Sequence, residues 1–160
     1  MLRRLLAGRG RSDHTVPAPT KEKARLLLVD DDGILLGFLA ETLRDHGYEV
    51  VTATDGAEGL DKALTGRPDA IVLDRTMPGL DGFEVLQRLK RDRRTAGIPV
   101  LMVTSCTASE EVAYGLALGA VEYLTKPILS GDVVRQVARM LGSSFAPAPM
   151  ATGSVVPQSR

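Results

Sequence analysis

The sequence predicts an α/β protein in which five short strands alternate with five helices and form one parallel sheet covered on both faces. Three observations predict it. Apolar runs of strand length recur along the chain, each followed by a segment with apolar residues at helical spacing. The clearest run, Ala70-Ile-Val-Leu, is wholly apolar, as a strand buried on both faces must be. It stops on a carboxylate, Asp74, just before the turn formers Met77, Pro78 and Gly79. The residues able to do chemistry, Asp30, Asp31, Asp74, Thr104 and Lys126, all fall at or just past the end of such a run.

In chain order, residues 25–29 form an apolar strand ending in Asp30-Asp31-Asp32. Residues 34–46 follow as a helix, with Ile34, Leu35, Phe38, Leu39 and Leu43 at helical spacing and Gly47 as its C′ residue. Gly33 and Gly37 sit oddly there, since each costs about 1 kcal/mol against alanine inside a helix. The second strand is 49–53. A short helix over 55–64 turns Ala57, Leu60 and Leu64 inward and takes Asp55 as N-cap. Gly66, Arg67 and Pro68 turn the chain into the strand that ends at Asp74.

The third helix, 82–91, carries Phe83, Leu86 and Leu89 inward. The basic residues at its end, Lys90, Arg91, Arg93 and Arg94, suit a solvated helix C-terminus. Residues 99–103 make the fourth strand, which ends in Thr104, and 110–118 the fourth helix, closed by Gly119. Residues 121–125 make the fifth strand, followed by Lys126-Pro127. The last helix, 129–141, places Val133, Val134, Val137 and Leu141 on one face. The flanks, 1–23 and 143–160, mix Pro, Ser, Gly and charged residues without apolar periodicity and are expected to be disordered. The organisation read from the sequence is therefore a basic arm, one domain over 24–142, and a tail.

Composition narrows the class. With 160 residues, 44% hydrophobic and 25% charged, the chain has the make-up of a globular domain with a real core. No apolar run approaches the roughly 18 residues of a membrane span, and Leu5-Leu6-Ala7 is too short for a secretory signal. A single cysteine, Cys106, fits a reducing compartment. The expected location is cytoplasmic. The net charge is zero overall, yet residues 24–142 hold 13 basic against 18 acidic residues, so the globular part is mildly acidic and gives no sign of nucleic-acid binding.

In a parallel sheet the carboxyl ends of the strands share one edge. With strand order 2-1-3-4-5, strands one and three are neighbours at the switch point where ligands bind in such sheets. That order brings Asp30 and Asp31 beside Asp74. Three adjacent carboxylates repel and raise one another's pKa unless a cation enters. Mg²⁺ suits the set best, because it takes one or two carboxylates plus phosphate oxygens and keeps several waters. A phosphoryl group on Asp74 would then find Mg²⁺ for one oxygen, the Lys126 ammonium for another, and the Thr104 hydroxyl with nearby backbone N–H groups for the third.

Four motifs carry a resemblance. Leu-Val-Asp-Asp-Asp at 28–32, Leu-Asp-Arg-Thr-Met-Pro-Gly-Leu-Asp-Gly at 73–82, Pro-Val-Leu-Met-Val-Thr-Ser at 99–105 and Tyr-Leu-Thr-Lys-Pro at 123–127 together resemble the receiver domain of bacterial two-component response regulators. The similarity runs from about residue 25 to 141. It implies a flavodoxin-like fold and a stand-alone phosphoacceptor switch that catalyses only its own phosphorylation and dephosphorylation.

By the same resemblance, Asp74 receives phosphate from a sensor histidine kinase or a histidine phosphotransfer protein. Asp31 ligates Mg²⁺ directly, Asp30 through water, and Thr76 through its carbonyl. Lys126 pairs with the phosphoryl group and precedes a cis bond to Pro127. Thr104 is the switch hydroxyl, and Tyr123 turns inward when Thr104 moves. A downstream protein would read the face made by helix four, strand five and helix five. Thr76 and Cys106, two residues past Asp74 and Thr104, would flank the path of water to the acyl phosphate.

Two other readings compete with this one. A Mg²⁺-dependent phosphatase with an aspartyl nucleophile usually places a second acid two residues after it, where this chain has Thr76. A receiver-like scaffold that is never phosphorylated would not need the acidic set, Thr104 and Lys126.

Overall fold

A computed structural model describes residues 23–142. The expected flanking arms lie outside the described residues, Lys23 excepted. The elements run β1 (Arg25–Val29), α1 (Gly33–Asp45), β2 (Glu49–Ala53), α2 (Gly56–Gly66), β3 (Ala70–Asp74), α3 (Gly82–Arg91), β4 (Val100–Thr104), α4 (Ser109–Ala117), β5 (Glu122–Thr125) and α5 (Ser130–Leu141). The sheet is parallel throughout, in the order β2-β1-β3-β4-β5.

Strands β3 and β4 are buried along their whole length, which accounts for their unbroken apolar sequences. Because successive side chains alternate, each strand feeds two cores. One holds Leu26, Leu28, Val72, Leu101 and Val103 against α1 and α5. The other holds Leu27, Val29, Ile71, Leu73 and Met102 against α2 and α3.

The helices begin where short polar side chains cap them. Asp32 accepts the N–H groups of Ile34 and Leu35, so α1 starts one residue earlier than the apolar pattern suggests. Asp55 caps α2 as expected. Asp81 and Glu84 form a reciprocal capping box on α3. Gly47, at φ +88°, follows α1 in a conformation that glycine adopts without strain.

Two helix faces differ from the sequence expectation. On α1 the buried stripe is Leu36, Leu39, Ala40 and Leu43, whereas Ile34 is 87% exposed and Phe38 46%. The apolar residues of α1 cover more than one face, and the sheet takes only one. On α2 the buried residues are Gly56, Gly59 and Ala63, while Ala57 is exposed. The helix lies so close that a Cβ on Gly56 would meet Leu80 O at 2.6 Å, and one on Gly59 would meet Val29 Cγ1 at 2.9 Å. A periodicity argument that counts only large apolar residues is blind to a face built from glycine.

Gly82 has the same role at the edge where Asp74 sits. Its N–H donates to Arg75 O, and a Cβ there would press on the Asp74 carbonyl and lie 2.8 Å from Arg75 Cα. Gly37, by contrast, has nothing within 4 Å of its missing Cβ. Gly82→Ala is therefore expected to destabilise the domain by about 2 kcal/mol. Gly37→Ala is expected to stabilise it by about 0.7 kcal/mol, through helix propensity alone. Chemical denaturation of the two variants checks this, and equal effects would contradict the packing described.

Candidate functional site

The residues picked out at the strand ends converge on one edge of the sheet. Asp74 is the last residue of β3 and is 4% exposed. Asp30, one residue past β1, is likewise 4% exposed. Asp31 is exposed beside it, and one ligand oxygen from each of Asp30, Asp31 and Asp74 lies within 4.8 Å of the others. The three consecutive aspartates divide their labour. Asp32 turns back to cap α1, and its own N–H donates to Asp30 Oδ1 at 2.8 Å. That bond orients the buried carboxylate.

Lys126 reaches in from the end of β5, past an intervening strand, because β5 lies one place beyond β4 in the sheet. Its Nζ stands 3.1 Å from Asp30 Oδ2 and 3.1 Å from Asp74 Oδ1. The bond between Lys126 and Pro127 is cis. One ammonium thus serves two buried carboxylates, with a third close by. Burial pushes the Asp74 carboxyl above its ordinary pKa, Asp30 adds to the rise, and Lys126 pulls back without cancelling it. Burial also works against the Lys126 charge, but the hydrogen bonds to Asp30 and Asp74 outweigh it and hold the ammonium above its usual value.

Thr104 ends β4 and is buried. Its hydroxyl accepts the Cys106 N–H at 3.0 Å and donates to Glu111 of α4 at 3.4 Å. Thr76 lies exposed two residues past Asp74, and Cys106 half-buried two past Thr104. Tyr123 is already turned inward, packed on the α3 side of the sheet, with its hydroxyl buried. It points at Gly115 of α4, where a Cβ would collide with the hydroxyl. The sequence reading has Tyr123 turn inward when Thr104 moves. Here the tyrosine is inward while Thr104 is still held by Glu111, because Gly115 leaves the space open.

Two participants were not singled out from the sequence. Arg75 follows Asp74 and so faces the opposite side of the sheet. Its guanidinium lies 3.8 Å from the centre of the Phe83 ring and 3.4 Å from both Asp81 and Glu111. Glu111 reads in sequence only as a first-turn acid of a helix. A carboxylate seven residues past a strand-ending threonine, one turn into the following helix, was the available signal.

A doubly wound parallel sheet with an acidic trio and one lysine at its carboxyl edge defines a signalling domain of the CheY-like class. Residues 26–138 match the response regulator receiver domain family, and the chain belongs to it. Protein PilH of Pseudomonas aeruginosa is 35% identical over 118 residues, covering 74% of this chain and 98% of PilH. The transcriptional regulator RpaA of Synechocystis is 43% identical over 116 residues, which span 72% of this chain and 47% of RpaA. The chain spans about half the length of several such transcriptional regulators. Among solved structures, the chemotaxis protein CheY4 of Vibrio cholerae superposes with a TM-score of 0.72 at 37% identity, over 74% of this chain and 99% of CheY4. Receiver domains bind Mg²⁺ at an acidic pocket and interact with histidine kinases or phosphotransfer proteins; they signal rather than turn over a substrate. No described helix is long and apolar enough to cross a membrane.

The raised pKa of Asp74 has a consequence for stability. Between the ordinary carboxylate value, about 3.9, and the higher folded value, the native state binds more protons than the unfolded chain. The stability this group contributes therefore falls as pH rises through the folded pKa. Asp74→Asn removes that loss. In EDTA the variant is expected to melt higher by about 4 °C at pH 8, equivalent to about 1 kcal/mol. The gain should shrink as pH is lowered toward 4. Paired thermal melts at the two pH values test it, and a gain that grows in acid would refute the assignment.

Proposed function

We propose that this chain is a phosphoacceptor switch of a two-component system or phosphorelay. Asp74 accepts a phosphoryl group from a phosphohistidine, and the domain changes its binding surface in response. The observation that carries this reading is Lys126 Nζ at 3.1 Å from both Asp74 and Asp30, with Asp31 beside them. Such a site accepts negative charge.

In the transfer, a carboxylate oxygen of Asp74 attacks phosphorus. The acyl phosphate bond forms as the P–N bond of the donor breaks, and the electron pair leaves with the imidazole. Lys126 exchanges its bond to Asp74 for one to a phosphoryl oxygen and keeps Asp30 as its anchor. The Thr104 hydroxyl donates to a second oxygen. Asp30, Asp31, Asp74 and the Thr76 carbonyl form a hard oxygen donor set suited to Mg²⁺. Bound there, Mg²⁺ would supply the positive charge that the arriving phosphoryl oxygens need. Asp30, oriented by the Asp32 N–H, and Asp31, open to solvent, keep that position accessible.

Incubation with acetyl phosphate or phosphoramidate and Mg²⁺ is expected to add one phosphoryl group to the wild type, read by intact mass. Asp74→Asn should add none, and EDTA should prevent the addition. Sustained hydrolysis of a phosphate ester would favour the phosphatase reading instead, and an unlabelled wild type would favour a scaffold.

The surface beside the site supports a protein donor. Ile34 and Phe38 of α1 and Leu129 at the start of α5 are exposed apolar residues near the acidic edge. They could seat the apolar face of a helix that carries the phosphohistidine. On the other flank, Tyr114, Leu116 and Val121 are exposed on and just past α4, toward β5, where a downstream protein would read the switch. The double variant Ile34→Ala/Phe38→Ala is expected to slow transfer from a phosphorylated histidine protein by about tenfold, one 1.4 kcal/mol step. Labelling by acetyl phosphate should not change. Equal slowing with both donors would place these residues in the chemistry rather than in docking.

A further inference from the structure

Between Thr104 and Tyr123 lies a group of polar atoms bonded less well than their burial demands. The Tyr123 hydroxyl and Arg75 Nε are both buried without a hydrogen-bond partner among the described residues. Buried donors left in this state are costly and rare in native structures. The nearby acceptor is the Glu111 carboxylate. Its Oε1 is 3.4 Å from Arg75 Nε and 3.4 Å from the Thr104 hydroxyl, and both distances are long. One carboxylate oxygen is stretched between two partners and satisfies neither fully. Both Glu111 and Arg75 act electrostatically on the Tyr123 hydroxyl, so all three groups share one small volume.

We propose that Glu111 is the positioning residue that couples Thr104 to helix α4: it is divided between Thr104 and Arg75 at rest, and closes on Arg75 Nε and the Tyr123 hydroxyl, which lack hydrogen bonds, once Thr104 is withdrawn. The inference rests on Asp74 being the phosphoacceptor, since phosphate on Asp74 is what draws the Thr104 hydroxyl away. No bond other than hydrogen bonds is made or broken. When Thr104 leaves, Glu111 loses a weak partner and is free to shorten its ion pair with Arg75 Nε and to approach the Tyr123 hydroxyl, neither of which has a hydrogen bond among the described residues.

Glu111 lies in the first turns of α4, so the helix start moves with its carboxylate. Besides the edge-on contact of Tyr114 with Phe83 and the packing of Leu118 on the core, little restrains the start of the helix. Helix α4 has no side-chain N-cap, and its buried residue is Gly115. Gly115 lets Tyr123 stand inside beforehand, so the moving part is the carboxylate and its helix rather than the tyrosine ring. Arg75 is fixed by stacking on Phe83 and pairing with Asp81, and offers a stationary anchor for Glu111 to close on.

The test uses the full chain treated with acetyl phosphate and Mg²⁺, with phosphoryl occupancy measured by intact mass and amide hydrogen exchange followed over residues 109–117. In the wild type, phosphorylation is expected to change exchange in this segment by about fivefold or more. In Glu111→Ala, at matched occupancy, that response is expected to be largely lost, because the helix has already been released. Thr104→Val should lose it as well, and adding Glu111→Ala to Thr104→Val should have no further effect, since both remove one connection.

Should Glu111→Ala fail to fold, Glu111→Leu, which fills the space and removes the acceptor, is read the same way. A response of equal size in the labelled Glu111 variant, or additive effects in the double variant, would overturn the coupling while leaving Asp74 as phosphoacceptor. A wild type that takes no phosphoryl group overturns the phosphoacceptor reading, and this inference with it.

Discussion

One ammonium held between two buried carboxylates is the constraint on which the rest of this structure depends. Lys126 at 3.1 Å from both Asp30 and Asp74 neutralises part of a charge cluster that would otherwise drive the strand ends apart. At the effective dielectric typical of protein sites, like charges about 4 Å apart repel by about 4 kcal/mol. A sequence does not keep three acids together at that cost unless their geometry is imposed from elsewhere. Here the sheet imposes it. β1 and β3 are neighbours, so Asp30 and Asp74 meet, and β5 delivers Lys126 from beyond β4. The apolar layers on either face supply the burial that offsets the electrostatic cost.

The same imposition made most of the site legible in the sequence. A strand that is apolar throughout and then stops on a carboxylate announces both its own burial and the place of that carboxylate. Two such endings, at Asp30 and Asp74, with Thr104 closing a third strand and Lys126 following a fourth, fix one edge of a parallel sheet. What could not be read depends on side chains that the pattern does not count. Gly56 and Gly59 form the inner face of α2 because they have no side chain, whereas a periodicity reading turns Ala57 inward. Ile34 and Phe38 count as core by hydropathy, yet the phase of α1 set by Leu36, Leu39 and Leu43 leaves them outside. Arg75 and Glu111 escaped notice because their meaning is a distance between β3 and α4. That distance exists only once the sheet has formed.

The two flanks of the acidic edge are built differently. Helix α1 is capped twice by Asp32 and buries four residues, so the side carrying Ile34 and Phe38 is a fixed surface. Under the proposed function, a fixed apolar surface beside Asp74 would suit a partner that places its phosphorus in line with that carboxylate, since transfer of this kind depends on position more than on covalent help. Helix α4, on the other flank, starts at Ala108 without a side-chain cap and buries Gly115. Its attachments to the sheet edge include the long contacts of Glu111 with Thr104 and Arg75.

In the proposed switch, that difference decides where a change at Asp74 would be felt. A segment with few buried apolar contacts opens at lower free energy than one locked into the core. Charge added at the sheet edge acts on both flanks, but α1 is held by the burial of Leu36, Leu39, Ala40 and Leu43, which no electrostatic adjustment at the edge alters. Helix α4 is held in part by a carboxylate whose own partner, Thr104, belongs to the site. In the proposed switch the weaker attachment is therefore also the one that meets Thr104. In the proposed switch, signal entry and signal exit would fall on opposite sides of Asp74, because one helix is secured by hydrophobic burial and the other in part by polar contacts that phosphate would compete for.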